Sequence, residues 1–591
     1  MSATDKHRRP GGWEDSMILP AGLVALLSLV FAVYGSLILG YKHEGRDHTN
    51  LIQQFASGDG YWPTLTTVIL IGAVLLLTCL SVAGFITWRA MQPPAIDRAA
   101  PFMATDRDMR DLQHRGRKKA ARQRGISAGP LPYLATTLSG RELELGPEST
   151  TTMIAGPRSG KSSSICIPLI LGWDGPVVTT SNKKEMWVKT RAQRETGADR
   201  AWCFDPQGIA NEPATWYWNP ISYVTGDGDT NMDQRAAKLA GRFAFATNTS
   251  SSKNGDYFSL TGEGLVSALI LAAAISGKDL LEVRRWITTP NDTEPVRILR
   301  NSNYDHAARA LKNIQDLNPD QRDGVYGTAT TMTLFLTYRS VQPWITPGPG
   351  RTEFDPHRFV SSHDTMYSIS EEGQGSMGPL VTALTVAICE AAVTLAMRST
   401  GERLAAPLAL ILDEVANVCR WKELPEVYSH YGSRGIIPVA ILQSWTQGAG
   451  VWGRDGMKAL WSASTTRIVS SGIQDDEFHG SISRAIGHYS RVTRSASHSR
   501  NGGSTSLQNV NETILSVADL TAMPRNRAII FEAGYRPVLA KLVPWWSRGY
   551  KLPGGKKEVE DTPARIDDPV TRLPIGQPPA TNKYITATRR S

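Results

Sequence analysis

The stretch Ala155-Gly156-Pro157-Arg158-Ser159-Gly160-Lys161-Ser162 constrains this chain more than any other. It fits the phosphate-binding loop with one relaxation, Ala155 where the strict pattern has Gly. Thr151-Thr152-Met153-Ile154 before it reads as a short strand, and Ser163-Ser164-Ile165-Cys166-Ile167-Pro168-Leu169-Ile170 after it opens a helix. A loop between strand and helix curls successive backbone N–H groups around an anion and adds the positive end of the helix dipole. The candidate cradle is Gly156, Pro157, Arg158, Ser159, Gly160, Lys161, Ser162 and Ser163. Lys161 is expected to reach the β- and γ-phosphates of ATP, and Ser162 to hold Mg2+.

Such loops also arise as plain turns, so a second motif matters. Ala406-Pro407-Leu408-Ala409-Leu410-Ile411-Leu412-Asp413-Glu414 is an apolar run ending in two carboxylates. A buried parallel strand reads this way, and its carboxyl end is where an open α/β sheet places ligands. Asp413 is expected to hold Mg2+ through water and Glu414 to polarise the attacking water. A core strand followed by a helix cap is the plainer alternative for this run alone. The two motifs in this order indicate a nucleotide hydrolase.

At 591 residues the chain exceeds one core and implies several domains. The formal net charge of +9 is modest for that length. The five cysteines have no paired close spacing, which points to reduced buried thiols and away from a disulfide framework or a zinc site.

Met17 to Gly40 and Tyr61 to Trp88 carry no charge. Each exceeds the ~20 residues needed to cross a ~30 Å hydrocarbon layer. Lys6, Arg8 and Arg9 precede the first, ten arginines and lysines from Arg89 to Arg124 follow the second, and the loop between holds only Lys42 and Arg46. Both termini are therefore expected in the cytoplasm, with the loop outside. The basic stretch Arg107–Arg124 is interleaved with acids and suits lipid headgroups, nucleic acid or a solvated linker.

Strand-like runs at 175–181, 200–204, 364–370, 406–412, 435–442 and 464–471 alternate with helical stretches, which predicts a parallel α/β sheet. Between them, residues 232–340 have a helical texture almost throughout. The expected division is a tail at 1–16, two membrane helices in 17–90, a basic linker at 91–130, a nucleotide-binding domain in two parts at 131–228 and 346–550, an all-α subdomain at 229–345, and a disordered tail at 551–591. Residues 491–509, rich in Ser, Arg and Gly, read as an exposed hairpin tip or loop.

Taken together the motifs resemble the type IV coupling proteins, the TraD/TraG-like membrane ATPases of conjugation and type IV secretion. The resemblance covers roughly residues 15–545. It is carried by Ser181-Asn182-Lys183-Lys184-Glu185, by Phe204-Asp205-Pro206-Gln207-Gly208 with Trp218-Asn219-Pro220, by Leu410–Asn417, and by Ser433-Arg434-Gly435-Ile436 with Ile441-Leu442-Gln443-Ser444. Gln207 departs from the family, which often has Lys there. The resemblance implies a RecA-like P-loop NTPase domain with an inserted all-α subdomain behind two transmembrane helices. It implies a ring of six, transfer of single-stranded DNA with its relaxase, and docking on the channel subunits of a type IV secretion system at the cell membrane. It also implies Arg434 as an arginine finger for a neighbour's nucleotide and Gln443 as a γ-phosphate sensor. A surface ion pair and a buried hydrogen-bonding side chain are their plainer alternatives. Recruitment of protein effectors without DNA pumping, an inactive relaxosome scaffold, and a motor that pumps double-stranded DNA during division or sporulation are the alternatives; the intact Lys161, Ser162, Asp413 and Glu414 speak against the scaffold, and the large helical insertion against the duplex motor.

Overall fold

The computed structural model describes residues 28, 30–91, 94–124, 126, 132–226, 229–247, 256–373, 375–499 and 502–550. They belong to two compact units divided in sequence after Ala95.

In the first unit residues 30–43 and Thr64–Met91 are helical. Within the second helix Thr64–Thr87 is long and apolar enough to cross a membrane, and none of its apolar window is buried. The other expected span, Met17–Gly40, is helical from residue 30; its residues 17–27 and 29 lie outside the described residues. The two helices meet closely at Gly40, where a Cβ would stand 2.2 Å from Thr66 Oγ1. Thr66 in turn donates to Ser36 O at 3.1 Å, and the Tyr61 N–H donates to the Tyr41 hydroxyl at 2.9 Å. Leu51, on the short helix Leu51–Ala56, packs with Leu37 and Tyr41.

The second unit is built on an 11-stranded sheet. In chain order the strands are β1 (Tyr133–Thr137), β2 (Glu142–Glu144), β3 (Thr151–Ile154), β4 (Val177–Ser181), β5 (Ala201–Phe204), β6 (Trp216–Tyr217), β7 (Thr352–Glu353), β8 (Thr365–Ile369), β9 (Leu408–Leu412), β10 (Ile436–Leu442), β11 (Thr466–Ser470), β12 (His488–Ser499), β13 (Gly502–Thr513), β14 (Arg527–Glu532) and β15 (Val538–Lys541). The large sheet has the order β2-β1-β15-β14-β11-β3-β10-β9-β4-β8-β5. From β11 to β5 every pairing is parallel. β9 and β10 are buried at every position, as continuous apolar runs covered on both faces must be. All seven parallel strands therefore end on one edge, and the loops that follow them converge there. β14 turns the sheet antiparallel against β11, and β15, β1 and β2 extend it the same way. Neither β14 nor β15 stands out in the sequence.

Between β6 and β7 six helices form a separate array: Met232–Thr247, Asp256–Ser276, Leu280–Thr288, Glu294–Asn301, Asp305–Gln315 and Pro319–Met332. Asp279 and Asn318 cap two of them by accepting backbone N–H bonds. Asp256–Ser276 runs through the middle, with Leu265, Val266, Leu269 and Ile270 buried. Its segment Tyr257–Ser276, and the helix Gly378–Arg398 that leads to β9, are as apolar as membrane spans; 56% and 72% of those windows are buried inside the protein. An aromatic cluster of Trp202, Phe204, Trp216, Trp344 and Phe354, with ring centroids 5.2–6.0 Å apart, fastens the flanks of the array to β5.

The stretch expected as a basic linker at 91–130 is packed instead, over its described residues. Ala95–Phe102 and Arg110–Leu112 form 3-10 turns and His114–Gln123 a helix. Ile96, Met103, Met109, Leu112 and Ala121 are buried among core residues. Asp97 holds Arg527 by two bonds of 2.8 and 2.9 Å, and Arg117 holds Glu532 at 2.8 Å. The acids interleaved with the bases have partners of their own: Asp106 accepts from Ser139 at 2.7 Å, Asp108 from Thr105 N–H at 2.8 Å and Asp111 from the Tyr535 hydroxyl at 3.3 Å. The expected tail at 551–591 lies outside the described residues.

A fragment starting at Ala95 should therefore outlast one starting at Pro130. The shorter fragment removes the charged partners of Arg527 and Glu532, roughly 3–5 kcal/mol for each buried pair broken, and leaves Glu532 the Thr466 hydroxyl alone. Denaturant unfolding of the two fragments checks this; equal midpoints would mean that the segment adds nothing.

Candidate nucleotide-binding site

The edge where the parallel strands end gathers most of the residues singled out by sequence. Gly156 to Ser163 link β3 to the helical turns Ser162–Cys166 and Ile167–Gly172. Asp413 and Glu414 follow β9, and Gln443 follows β10. Because β10 lies between β3 and β9 in parallel register, Leu442 stands level with Ile154, and Ala440 with Leu412. The three loop starts are thus brought side by side by strand pairing alone.

The loop is held tightly at its start. Ala155 N–H donates to Leu442 O and Gly156 N–H to Ser471 O, both at 3.0 Å. A Cβ on Gly156 would sit 1.9 Å from Gly472 O, so only glycine fits that position. Arg158 and Gly160 take positive φ values of 57° and 85°, the reversal that turns the chain into a cradle. Arg158 and Pro157 are exposed, whereas Ser159 is buried, its Oγ without a hydrogen-bond partner among the described residues. Ser163 Oγ donates back to Gly160 O at 3.1 Å.

At the centre Lys161 Nζ donates to Glu414 Oε1 in a close ion pair whose side chains are almost wholly buried. Gln443 Nε2 donates to the other oxygen, Glu414 Oε2, at 2.8 Å. Glu414 itself is in the left-handed region, φ 54° and ψ 41°, which is uncommon outside glycine and costs energy that the surroundings must hold. Ser162 Oγ donates to Asp413 Oδ2 at 3.5 Å. Asp413 Oδ1 is buried and unpaired among the described residues. Burial pushes the Asp413 carboxyl up to about 6, with the Glu414 charge adding to the shift and Lys161 opposing it.

These features fit a nucleotide with its cation. An orphaned carboxylate oxygen beside a serine hydroxyl is a donor set for Mg2+, and a lysine held only by a carboxylate can turn to phosphate. Several contributors carry no strong sequence signal. Gly472 walls the loop, Asn526 Oδ1 comes within 3.1 Å of where a Gly160 Cβ would be, and Thr180 Oγ1 donates to Asp413 O at 3.1 Å. Gln447 Oε1 accepts from the Gln443 N–H at 2.9 Å and so steadies the start of that loop. The Ser471-Gly472 pair directly after β11 was the one available hint.

The other motif segments have structural roles, those after β4 and β5 on the same edge. Asp205 accepts backbone N–H bonds from Ile209 and Ala210, and Asn219 caps the helix Pro220–Thr225. Gln207 bridges the loops after β5 and β8, accepting from Glu371 N–H at 2.9 Å and donating to Gly375 O at 3.1 Å. Asn182 donates to Glu372 at 2.6 Å.

Arg434 is not part of this gathering. It ends the helix Leu424–Arg434 just before β10 begins, and β10 runs seven residues away from it towards Gln443. At ~3.3 Å per residue that strand separates the two by roughly 23 Å. Its guanidinium donates to Glu402 at 2.6 Å on the surface.

The model of a family described as Type IV secretory system Conjugative DNA transfer matches residues 105–575. The chain belongs to that family. Among curated members it is 23% identical over 427 residues to the probable conjugal transfer protein TraG of Sinorhizobium fredii (strain NBRC 101917 / NGR234), covering 69% of this chain and 64% of that one. It is 22% identical over 421 residues to the conjugal transfer protein TraG of Agrobacterium fabrum (strain C58 / ATCC 33970), covering 67% and 60%. The match thus spans less than two thirds of these relatives' length. Among solved structures, the plasmid coupling protein TrwB in complex with ADP and Mg2+ superposes with a TM-score of 0.51 at 15% identity, covering 74% of this chain and 93% of that one. TrwBdeltaN70 in its trigonal form with sulphate gives 0.51 at 16% identity, covering 72% and 92%. These likenesses speak to the fold: a RecA-like NTPase domain carrying an all-α domain.

In this family member the raised Asp413 has a thermodynamic consequence. The folded state holds that proton up to about 6, whereas the ordinary carboxyl releases it near 3.8. Stability should fall as pH rises between those values and stay lower above them. Asp413→Asn is expected to flatten that part of the decline and to leave the protein more stable at pH 7. Denaturant unfolding at pH 4 and pH 7 measures both; an unchanged decline would assign it to other groups.

Proposed function

We propose that this chain is a membrane-anchored ATPase that couples a relaxase–DNA substrate to a type IV secretion channel and drives single-stranded DNA transfer in conjugation. The observation that carries this reading is the meeting of Lys161, Glu414 and Gln443, with Asp413 and Ser162 alongside, in a chain of the conjugative DNA-transfer family. The nucleotide is ATP, in keeping with the ADP and Mg2+ held by the similarly folded TrwB. Gly156 to Ser163 cradle its phosphates, with Lys161 on the β- and γ-phosphates. Ser162 and Asp413 hold Mg2+, which supplies positive charge to the phosphates. Once Lys161 has turned to phosphate, Glu414 is free to accept a proton from water, and Gln443 keeps its carboxylate aimed.

Residues 17–90 anchor the chain in the cell membrane with both termini and the ATPase domain in the cytoplasm. Residues 131–228 and 346–550 form the motor, and 229–345 the helical insert. The working form is a ring of six. Arg434 is in keeping with this: it stands at the far end of β10 from its own Glu414, so any nucleotide it served would be a neighbour's. Its present partner is a surface ion pair, which costs little to give up. The partners are single-stranded DNA, relaxase and relaxosome proteins, and the channel subunits.

Lys161→Ala should abolish turnover, and Glu414→Gln should keep nucleotide binding while stopping hydrolysis. Affinity and turnover measured side by side decide the second; loss of both together would make Glu414 structural. Single-stranded DNA should speed the parental ATPase.

Arg434→Ala should lower turnover by on the order of 10³-fold or more, the worth of an arginine finger. Rings mixed from Arg434→Ala and Glu414→Gln subunits should regain activity, because some interfaces then carry both intact groups. Mixed rings that form and stay inactive would return Arg434 to its role as a surface ion pair.

A further inference from the structure

Two strands stand apart from the large sheet. β12 and β13, each 12 residues long, pair antiparallel without a register shift and form a sheet of their own. At ~3.4 Å per residue this is a ribbon roughly 40 Å long. Its root is tied to the body: Tyr489 stacks on Phe102 with ring centroids 4.0 Å apart and bonds Glu512 across the ribbon. Ser490 Oγ donates to Asn511 Oδ1 at 2.6 Å. Beyond the root Val492 and Val510 are exposed.

A two-stranded ribbon alone is at best marginally stable in water. The outer edges of such a ribbon present backbone N–H and C=O groups, which proteins usually guard with Lys, Pro or bulges. From Ser490 to Asn511 this chain has neither Lys nor Pro, and the register is unbroken. A ribbon of this length calls for something to lie against.

Its composition selects the partner. No Asp or Glu occurs from Ser490 to Asn511, while Arg491, Arg494, Arg500 and His498 do, mostly among Ser, Thr, Asn, Gln and Gly. The register places Arg491 opposite Val510 on one face and Arg494 opposite Leu507 on the other. With an arginine on each, neither face suits burial against a protein core. No Phe, Tyr or Trp occurs from Ser490 to Asn511, so the stacking platform that single strands need is missing. The major groove of B-form DNA admits a two-stranded ribbon between phosphate walls on both sides, and phosphate contacts bind without reading sequence.

We infer that β12–β13 is an arm that lies in the major groove of duplex DNA and binds its phosphates. It rests on the reading of DNA as cargo and extends it: the nucleotide site serves a single strand, and the arm holds the neighbouring duplex.

The test uses the full chain in detergent micelles, with a labelled 20-base-pair duplex of arbitrary sequence and a single strand of equal length, across a salt series. Arg491→Gln with Arg494→Gln should flatten the duplex salt slope by about 1.8, at ~0.9 for each lost phosphate contact. A variant joining Ser490 to Asn511 through Asn-Gly should lose duplex binding altogether. In both variants single-strand binding and DNA-free ATPase should stay at parental levels, which also shows that they fold. Unchanged duplex binding in the shortened variant overturns the inference. So does an equal loss for the single strand. So does a drop in oligomer size on shortening with duplex affinity kept, which would make the ribbon a contact between copies. A parental chain that binds duplex through the ribbon yet shows no strand-stimulated ATPase supports the arm and overturns the single-strand cargo reading instead.

Discussion

Lys161 and Glu414 face each other almost wholly out of water. Removing two charges from solvent is expensive, and their attraction offsets that cost only when further hydrogen bonds satisfy the carboxylate. Gln443 supplies one such bond, and Gln447 holds Gln443 in place. Glu414 and Gln443 sit just past the ends of β9 and β10, Lys161 closes the loop that follows β3, and Gln447 lies in the helix that follows β10. The pair therefore depends on the register of β3, β10 and β9, and a slip of one residue would turn the side chains to the opposite face. The left-handed backbone at Glu414 is sustained by the same framework.

The same edge explains why the chain tolerates so large an excursion. Between β5 and β8 it leaves the sheet to build the helical array and returns to pair beside β4. Aromatic side chains on both flanks of the excursion pack together next to β5, so the array is fixed at its base and free in its sequence beyond. The segment before β1 makes a second attachment. Its acids and bases find partners on β14, which ties the stretch after the membrane helix into the sheet.

A single copy brings Lys161, Ser162, Asp413, Glu414 and Gln443 together at one end of the parallel strands and holds Arg434 at the other. In the function proposed above, neighbours would complete each other's sites, and this separation would make hydrolysis depend on assembly. The weak surface pairing of Arg434 with Glu402 leaves the guanidinium available at little cost.

The sequence by itself carried the strand–loop–helix around Gly156–Ser163, the apolar strand ending in Asp413 and Glu414, the helical texture of the insert and the apolar helix Thr64–Met91. These are local signals: periodicity, chain direction and the residue types that phosphate or lipid requires. What lies beyond local pattern was decided by tertiary structure. Tyr257–Ser276 and Gly378–Arg398 have the hydropathy of membrane spans, and only the helices and strands packed around them make them core. Arg107–Arg124 has the composition of a solvated linker, and only the partners on β14 and in the hydrophobic core make part of it a packed element. Gly472, Asn526 and Gln447 join the site through sheet order and loop approach, which residue spacing does not encode. A sequence states which groups are present; which of them share a low-dielectric site is set by contacts between residues far apart in the chain, such as the 253 positions that separate Lys161 from Glu414.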